Sequence, residues 1–184
     1  MSSSPTNSKL LVDGYNIIGA WPKLGKLRDR HGLEVSRQKL IEALINYSAC
    51  EGLDTQVVFD AHYQNKPIFS EVITHEVSVC YTDFGQTADT YIEKFCADFR
   101  YQVRQSVTRL IVATSDRTQK LVVTGYGAEW ISAQRLIGEL ESTFKRYQTQ
   151  QKSRKQPTKS FLFDSLDPKT KQRLEDLQKK GNWG

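Results

Sequence analysis

The sequence predicts a three-layer α/β/α sandwich with a mainly parallel central sheet and a basic C-terminal tail. Short apolar runs, Lys9–Asp13 (KLLVD), Thr55–Phe59 (TQVVF) and Arg109–Ala113 (RLIVA), read as strands buried on both faces. Segments with apolar residues at helical spacing lie between them. The order β-α-β-β-α-β-α-β-α is that of an α/β protein whose helices cover both faces of one sheet.

Each element has its own signal. Lys9–Asp13 is a short strand ending on an acid, and Gly14 is expected to turn the chain sharply. Gly19 to Gly32 holds Trp21, Pro22 and three glycines, the composition of a loop. From Val35 to Ala49, Leu40, Ile41, Leu44 and Ile45 follow a helical stripe that Gly52 ends. Thr55–Phe59 is the second strand and stops at Asp60. His62–Ser70 reads as a polar loop around Pro67, and Val72–Tyr81 as a third strand. Thr87 is placed to cap a helix with Asp89 in its first turn and Ile92, Phe95, Cys96 and Phe99 behind. The fourth strand, Arg109–Ala113, runs into Thr114, Ser115 and Asp116 and a short helix to Thr124. Trp130–Ile131 suggests a fifth strand. Ser132 caps a last helix whose apolar face is Leu136, Ile137, Leu140 and Phe144.

Composition removes several classes of function. Apolar residues make up 38% of the chain, and no run approaches the ~20 residues of a membrane span. The opening MSSSPTNSKLL lacks the basic start of a secretory signal, so residues 1–8 read as a disordered tail. Cys50, Cys80 and Cys96 are odd in number and widely spaced, which fits buried thiols in a reducing compartment rather than a disulfide framework. His31, His62 and His75 lack zinc-ligand spacing. There is no phosphate-binding P-loop, and the glycines at 125 and 127 do not form a dinucleotide fingerprint.

The net charge of +5 is segregated. Residues 1–148 carry 17 basic and 17 acidic side chains, whereas residues 149–184 carry nine basic and four acidic. A neutral body at 9–148 followed by a cationic linker and short helix at 149–184 is the footprint of a protein that meets a polyanion through its tail.

The chemistry concentrates on carboxylates. Ligands of open α/β sheets bind beyond the carboxyl ends of the strands. Asp13, Asp60, Asp89 and Asp116 all fall at such positions, and Glu93 lies one helical turn after Asp89. Asn16 and Ser115 add neutral oxygens. Carboxylates brought together repel unless a cation joins them, and an all-oxygen set selects a hard ion, Mg²⁺ or Mn²⁺. Such an ion can activate water and clamp a phosphate. Acids at strand ends also cap helices, so each position taken singly has a purely structural reading.

These residues carry a resemblance. VDGYNII at 12–18 resembles the opening motif of the NYN-domain ribonucleases, a branch of the PIN-like nucleases. VVFDAH at 57–62, TADTYIE at 87–93, ATSDRTQ at 113–119 and the closing LDPKTKQRLEDLQKKG are, in that order, similar to the YacP-like family. The resemblance implies a PIN-like fold and a Mg²⁺- or Mn²⁺-dependent endoribonuclease. It points to bacterial enzymes that cut mRNA on the ribosome, with relatives in chloroplasts. It matches Asp13 and Asp89 to the main acidic pair, Asn16 to the asparagine of the first motif and Asp116 to the acid after the fourth strand. Asp60 and Glu93 are weaker matches. The implied setting is the cytoplasm, with the plastid stroma left open.

Single-stranded RNA is gripped by cations and stacking aromatic rings. The candidates near the acidic edge are Tyr15, Trp21, Lys23, His62, Tyr63, Ser115 and Arg117, and those in the tail are Lys152, Arg154, Lys155 and Lys159. Two other functions fit the same residues: an inactive RNA- or ribosome-binding module, and a metal phosphohydrolase acting on small phosphoesters.

Overall fold

The computed structural model describes residues 8–61, 69–101 and 107–155, with side chains as far as Gln150. Its strands are β1 (Ser8–Asp13), β2 (Asp54–Phe59), β3 (Phe69–Val72), β4 (Val77–Tyr81), β5 (Arg109–Ala113) and β6 (Glu129–Ile131). Its helices are α1 (Gly14–Ala20), α2 (Pro22–His31), α3 (Leu33–Glu51), α4 (Ala88–Tyr101), α5 (Arg117–Gly125) and α6 (Ala133–Lys155). The sheet runs β3-β4-β2-β1-β5-β6, parallel except for β3, which joins β4 antiparallel at the edge. This is the expected α/β sandwich.

Strand alternation assigns the two cores. In β1, Leu10 and Val12 face one side with Val57, Phe59 and Val79, packed against α1, α2, α3 and α6 through Ile17, Leu24, Leu40, Leu44 and Leu136. Leu11 faces the other side with Val58, Leu110 and Val112, covered by Ala88, Ile92 and Cys96 of α4 and Val123 of α5. With both faces covered, the parallel strands must be apolar throughout, which is why KLLVD and RLIVA carry no polar alternation.

β1 pairs with β2 on one side and β5 on the other. From β1 the chain first builds outward through β2, then returns across the sheet to build the other half. The carboxyl end of β1 is therefore the topological switch point, where an open α/β sheet leaves a crevice. Asp13 is its last residue.

Several local expectations need correction. Gly14 opens α1 and does not turn the chain through a positive φ. It is glycine because of close approach: a Cβ there would lie 2.2 Å from the Phe59 ring. The expected loop from Gly19 to Gly32 is two helices. Pro22 starts α2 in the position where its missing N–H costs nothing. Buried Trp21 and Leu24, and the Ser36 hydroxyl donating to the Leu24 carbonyl at 2.8 Å, hold the segment down despite Gly25. Phe69–Ser70, expected to be loop, begins β3, and the single strand expected over 72–81 is a hairpin. Cys50 is exposed, whereas Cys80 and Cys96 are buried. Helix α6 continues past the compositional shift at Gln148 to Lys155, while the compact unit that holds the sheet ends at Lys145. Among the described residues no helix is long and apolar enough to cross a membrane.

Candidate active site

Four chain segments deliver an aspartate to the carboxyl edge of the sheet. Asp13 ends β1 and caps α1, its Oδ1 accepting from the Asn16 N–H at 3.2 Å. Asp60 follows β2 and accepts from the Ala88 N–H at the start of α4. Asp89 lies in the first turn of α4, which Thr87 caps by accepting from the Thr90 N–H. Asp116 caps α5, accepting from the Gln119 N–H at 2.9 Å. Helix starts supply partial positive charge and free N–H groups, which is why acids at these positions fold well.

Asp13 is the centre of the group. It is 9% exposed. Burial, and then the charges of Asp89, Asp60 and Asp116, push its carboxyl up from 3.8 to about 7, against the Asn16 hydrogen bond. Asp89 is raised too, by burial and then by Asp116 and Asp60. Glu93 is exposed on α4, and its charge acts on Cys96.

Mutual electrostatic reach is weaker than ligation. Among the described residues no three histidine, cysteine, aspartate or glutamate side chains form a ready-made metal cage. Asp13, Asp60 and Asp116 each commit an oxygen to a backbone N–H. The donor set nevertheless fits a hard cation that keeps much of its water. Mg²⁺ is commonly held by one or two carboxylates and completed by water and substrate phosphate. Gln119, whose backbone N–H bonds the Asp116 cap, is a further buried polar residue of α5. Gln119 is 5% exposed, and neither its amide oxygen nor its amide nitrogen has a partner among the described residues. It precedes buried Val123 by one turn on the sheet-facing side of α5. A buried amide without partners calls for an ordered water or ion.

The neutral residues hold the frame. Asn16 Oδ1 accepts from the Ser115 N–H at 2.8 Å, so this oxygen ties two loops together rather than standing free. Ser115 Oγ donates to Gln134 at 3.1 Å and accepts from the Ala133 N–H at 3.3 Å, joining the corner after β5 to the start of α6.

Of the proposed RNA contacts, Trp21 is contradicted as a stacking surface. It is 6% exposed, its ring belongs to the core and its indole N–H donates to Glu141. Tyr15 is half-buried, tilted against Phe59, and its hydroxyl accepts from Arg37 at 2.9 Å. Lys23 is exposed with its ammonium 5.7 Å from the Phe144 ring. Arg117 is exposed at the start of α5. His62, Tyr63 and Lys159, and the side chains of Lys152, Arg154 and Lys155, lie outside the described residues. Sequence reasoning missed Lys120, Trp130 and Gln134, which join Ser115, Asp116 and Arg117 around a cavity of about 290 Å³. Trp130 was legible only as a strand residue, because its partner Lys120 lies on a different element.

The profile of the YacP-like NYN domain matches residues 10–179, nearly the whole chain. The chain belongs to the YacP-like NYN domain family. NYN domains have the PIN-like nuclease fold, and nucleases of that fold generally use divalent metals. This YacP-like NYN domain is 39% identical over 137 residues to the uncharacterized protein YacP of Bacillus subtilis (strain 168), covering 74% of this chain and 77% of that one. It is also similar to the crystal structure of Rae1 (YacP) from Bacillus subtilis, with 34% identity, a TM-score of 0.64 and 92% of each chain covered. Against a tryptophan-to-leucine variant of Rae1 the TM-score is 0.65 at 31% identity, covering 92% of this YacP-like NYN domain and 99% of that chain.

Proposed function

We propose that this protein is a metal-dependent endoribonuclease that cuts single-stranded RNA, with mRNA on the ribosome as its substrate and Mg²⁺ or Mn²⁺ as its cofactor. The observation that carries the reading is the buried Asp13 carboxyl at the switch point, with Asp60, Asp89 and Asp116 delivered to the same edge of the sheet and their charges acting on it. Burial and like charges disfavour the ionised carboxyl, and a cation entering among the four aspartates favours it.

Asp13 and Asp89 are the residues assigned to hold the ion, with Asp116 beside them. When bound, the ion supplies an acidified water and neutralises charge on the scissile phosphate. Asp60 fixes the first turn of α4 through the Ala88 N–H and so positions Asp89. Asn16 fixes the Asp116 corner through Ser115. Water adds across a P–O bond, leaving a terminal phosphate on one fragment and a hydroxyl on the other. The ribosomal setting, and with it the cytoplasm, rests on the family resemblance and on the cationic residues 149–184, where Lys152, Arg154, Lys155 and Lys159 would meet phosphates.

The test is cutting of a defined single-stranded RNA with Mg²⁺, Mn²⁺ or EDTA, with and without translating ribosomes. Internal cuts that need the metal and rise on ribosomes are expected. Cutting in EDTA, or turnover of mononucleotides in place of RNA, contradicts the reading.

A further inference from the structure

We propose that the cavity between the first turn of α5 and β6 is a nucleotide subsite for single-stranded RNA, with Trp130 stacking on a base and Lys120 and Arg117 holding the neighbouring phosphate. This deepens, and rests on, the reading of the acidic edge as an RNA-cutting centre.

Location comes first. Asp116 lines both the acidic centre and this cavity, so a strand crossing the centre has its next unit over β6. The cavity of about 290 Å³ falls just below the ~300–1,000 Å³ of small-molecule sites, a size for a single nucleotide unit rather than a longer ligand.

Trp130 is built as a platform. Its indole N–H donates to the Thr114 carbonyl at 2.9 Å, and Thr114 is wholly buried. The ring is thus held in one orientation yet only half-buried, so stacking on it costs little rotamer freedom. Lys120 already places its ammonium 3.9 Å from the ring centroid, marking an accessible, electron-rich face. A base and an ammonium compete for that face. Entry of a nucleotide moves Lys120 from the ring to the phosphate.

The charges around the cavity run against helix economy. Arg117 and Lys120 stand in the opening turns of α5, which has no acid in its first turn beyond the cap. Cations at a helix N-terminus oppose the macrodipole and cost stability. Among the described residues neither forms an ion pair with a carboxylate. The Asp116 cap and the Trp130 ring are the partners α5 offers these cations, and both line the same cavity, so an anion entering there would meet two cations that no carboxylate holds. Exposed Gln134, whose side-chain oxygen accepts from Ser115, adds amide N–H groups that can bond a base edge.

The experiment measures binding of a fluorescent ten-nucleotide single-stranded RNA in EDTA, and its cleavage with Mg²⁺, for the full chain and for Trp130→Leu, Trp130→Phe and Lys120→Gln. A lost stacking contact is worth ~1–3 kcal/mol, so Trp130→Leu is expected to weaken binding about 5- to 150-fold, with Trp130→Phe restoring most of it. Lys120→Gln is expected to lower the log–log salt slope by about 0.7 and leave the melting temperature unchanged or higher. In cleavage the loss should appear in KM more than in kcat. Wild-type affinity and salt slope in both Trp130→Leu and Lys120→Gln overturn the subsite. If Trp130→Leu misfolds, the surface change Lys120→Gln decides alone, and a wild-type salt slope in it overturns the subsite. RNA cut normally by those variants leaves the nuclease reading standing and removes only the subsite. A wild-type chain that neither binds nor cuts RNA removes both.

Discussion

The Asn16 side-chain oxygen accepts from the Ser115 N–H at 2.8 Å, joining residues 99 apart in sequence. One end of this link is α1, which Asp13 caps; the other is the corner that carries Asp116. Asn16 is therefore a positioning residue for the acidic pair it sits between. Asn16→Ala should cost about 1 kcal/mol of stability, one net hydrogen bond, and lower the cleavage rate by more than that loss of folded protein explains. Asn16→Asp keeps the acceptor but adds a charge, so its folding in EDTA should weaken as pH rises. Thermal melts paired with cleavage rates separate the two variants. Full activity in Asn16→Ala would remove the positioning role.

Asp13 sets a pH dependence with a definite sign. Its carboxyl lies at about 7 in the fold against an ordinary 3.8, so between those limits the folded chain keeps a proton that the unfolded chain releases. The fold then binds more protons, and its stability falls as pH rises from about 4 to 7 and levels off above. The size is on the order of 4 kcal/mol at most, from about three pH units at 1.36 kcal/mol each. Asparagine also caps helices, so Asp13→Asn should remove this slope and, in EDTA at pH 8, melt above the wild type. Mg²⁺ or Mn²⁺ should raise the wild-type melting temperature at pH 8 and move Asp13→Asn far less. Equal pH slopes in the two proteins would place the perturbation elsewhere.

Gln119 separates stability from function. A buried amide with no partner costs ~1–3 kcal/mol, which an apolar group of similar shape avoids. Gln119→Leu should therefore raise the melting temperature in EDTA, lower cleavage and weaken the stabilisation given by Mn²⁺. A destabilised but fully active variant would mean that the amide is satisfied structurally.

The sequence displays the sheet clearly because its strands are buried on both faces, and an unbroken apolar run needs no partner to be recognised. The four aspartates are legible for a related reason: strand ends and helix caps are local signals, and the topology brings them to one edge. Other features depend on distant residues. Trp21 reads as a candidate RNA-stacking ring until α6 brings Glu141 to its indole. The helices from Gly14 to His31 hide behind glycines because burial of Trp21 and Leu24, not propensity, holds them. The Trp130–Lys120 pair needs β6 and α5 side by side before it means anything.

The most direct measurement is the rate at which Asp13→Asn and Asp89→Asn cut single-stranded RNA with saturating Mg²⁺ or Mn²⁺, their folding checked by circular dichroism. Each change removes one negative charge at nearly constant shape. The expected result is folded protein with a rate down by at least about 10³, roughly 4 kcal/mol of transition-state stabilisation. Folded variants that cut within about tenfold of the wild-type rate would contradict a carboxylate-held ion as the agent of cleavage.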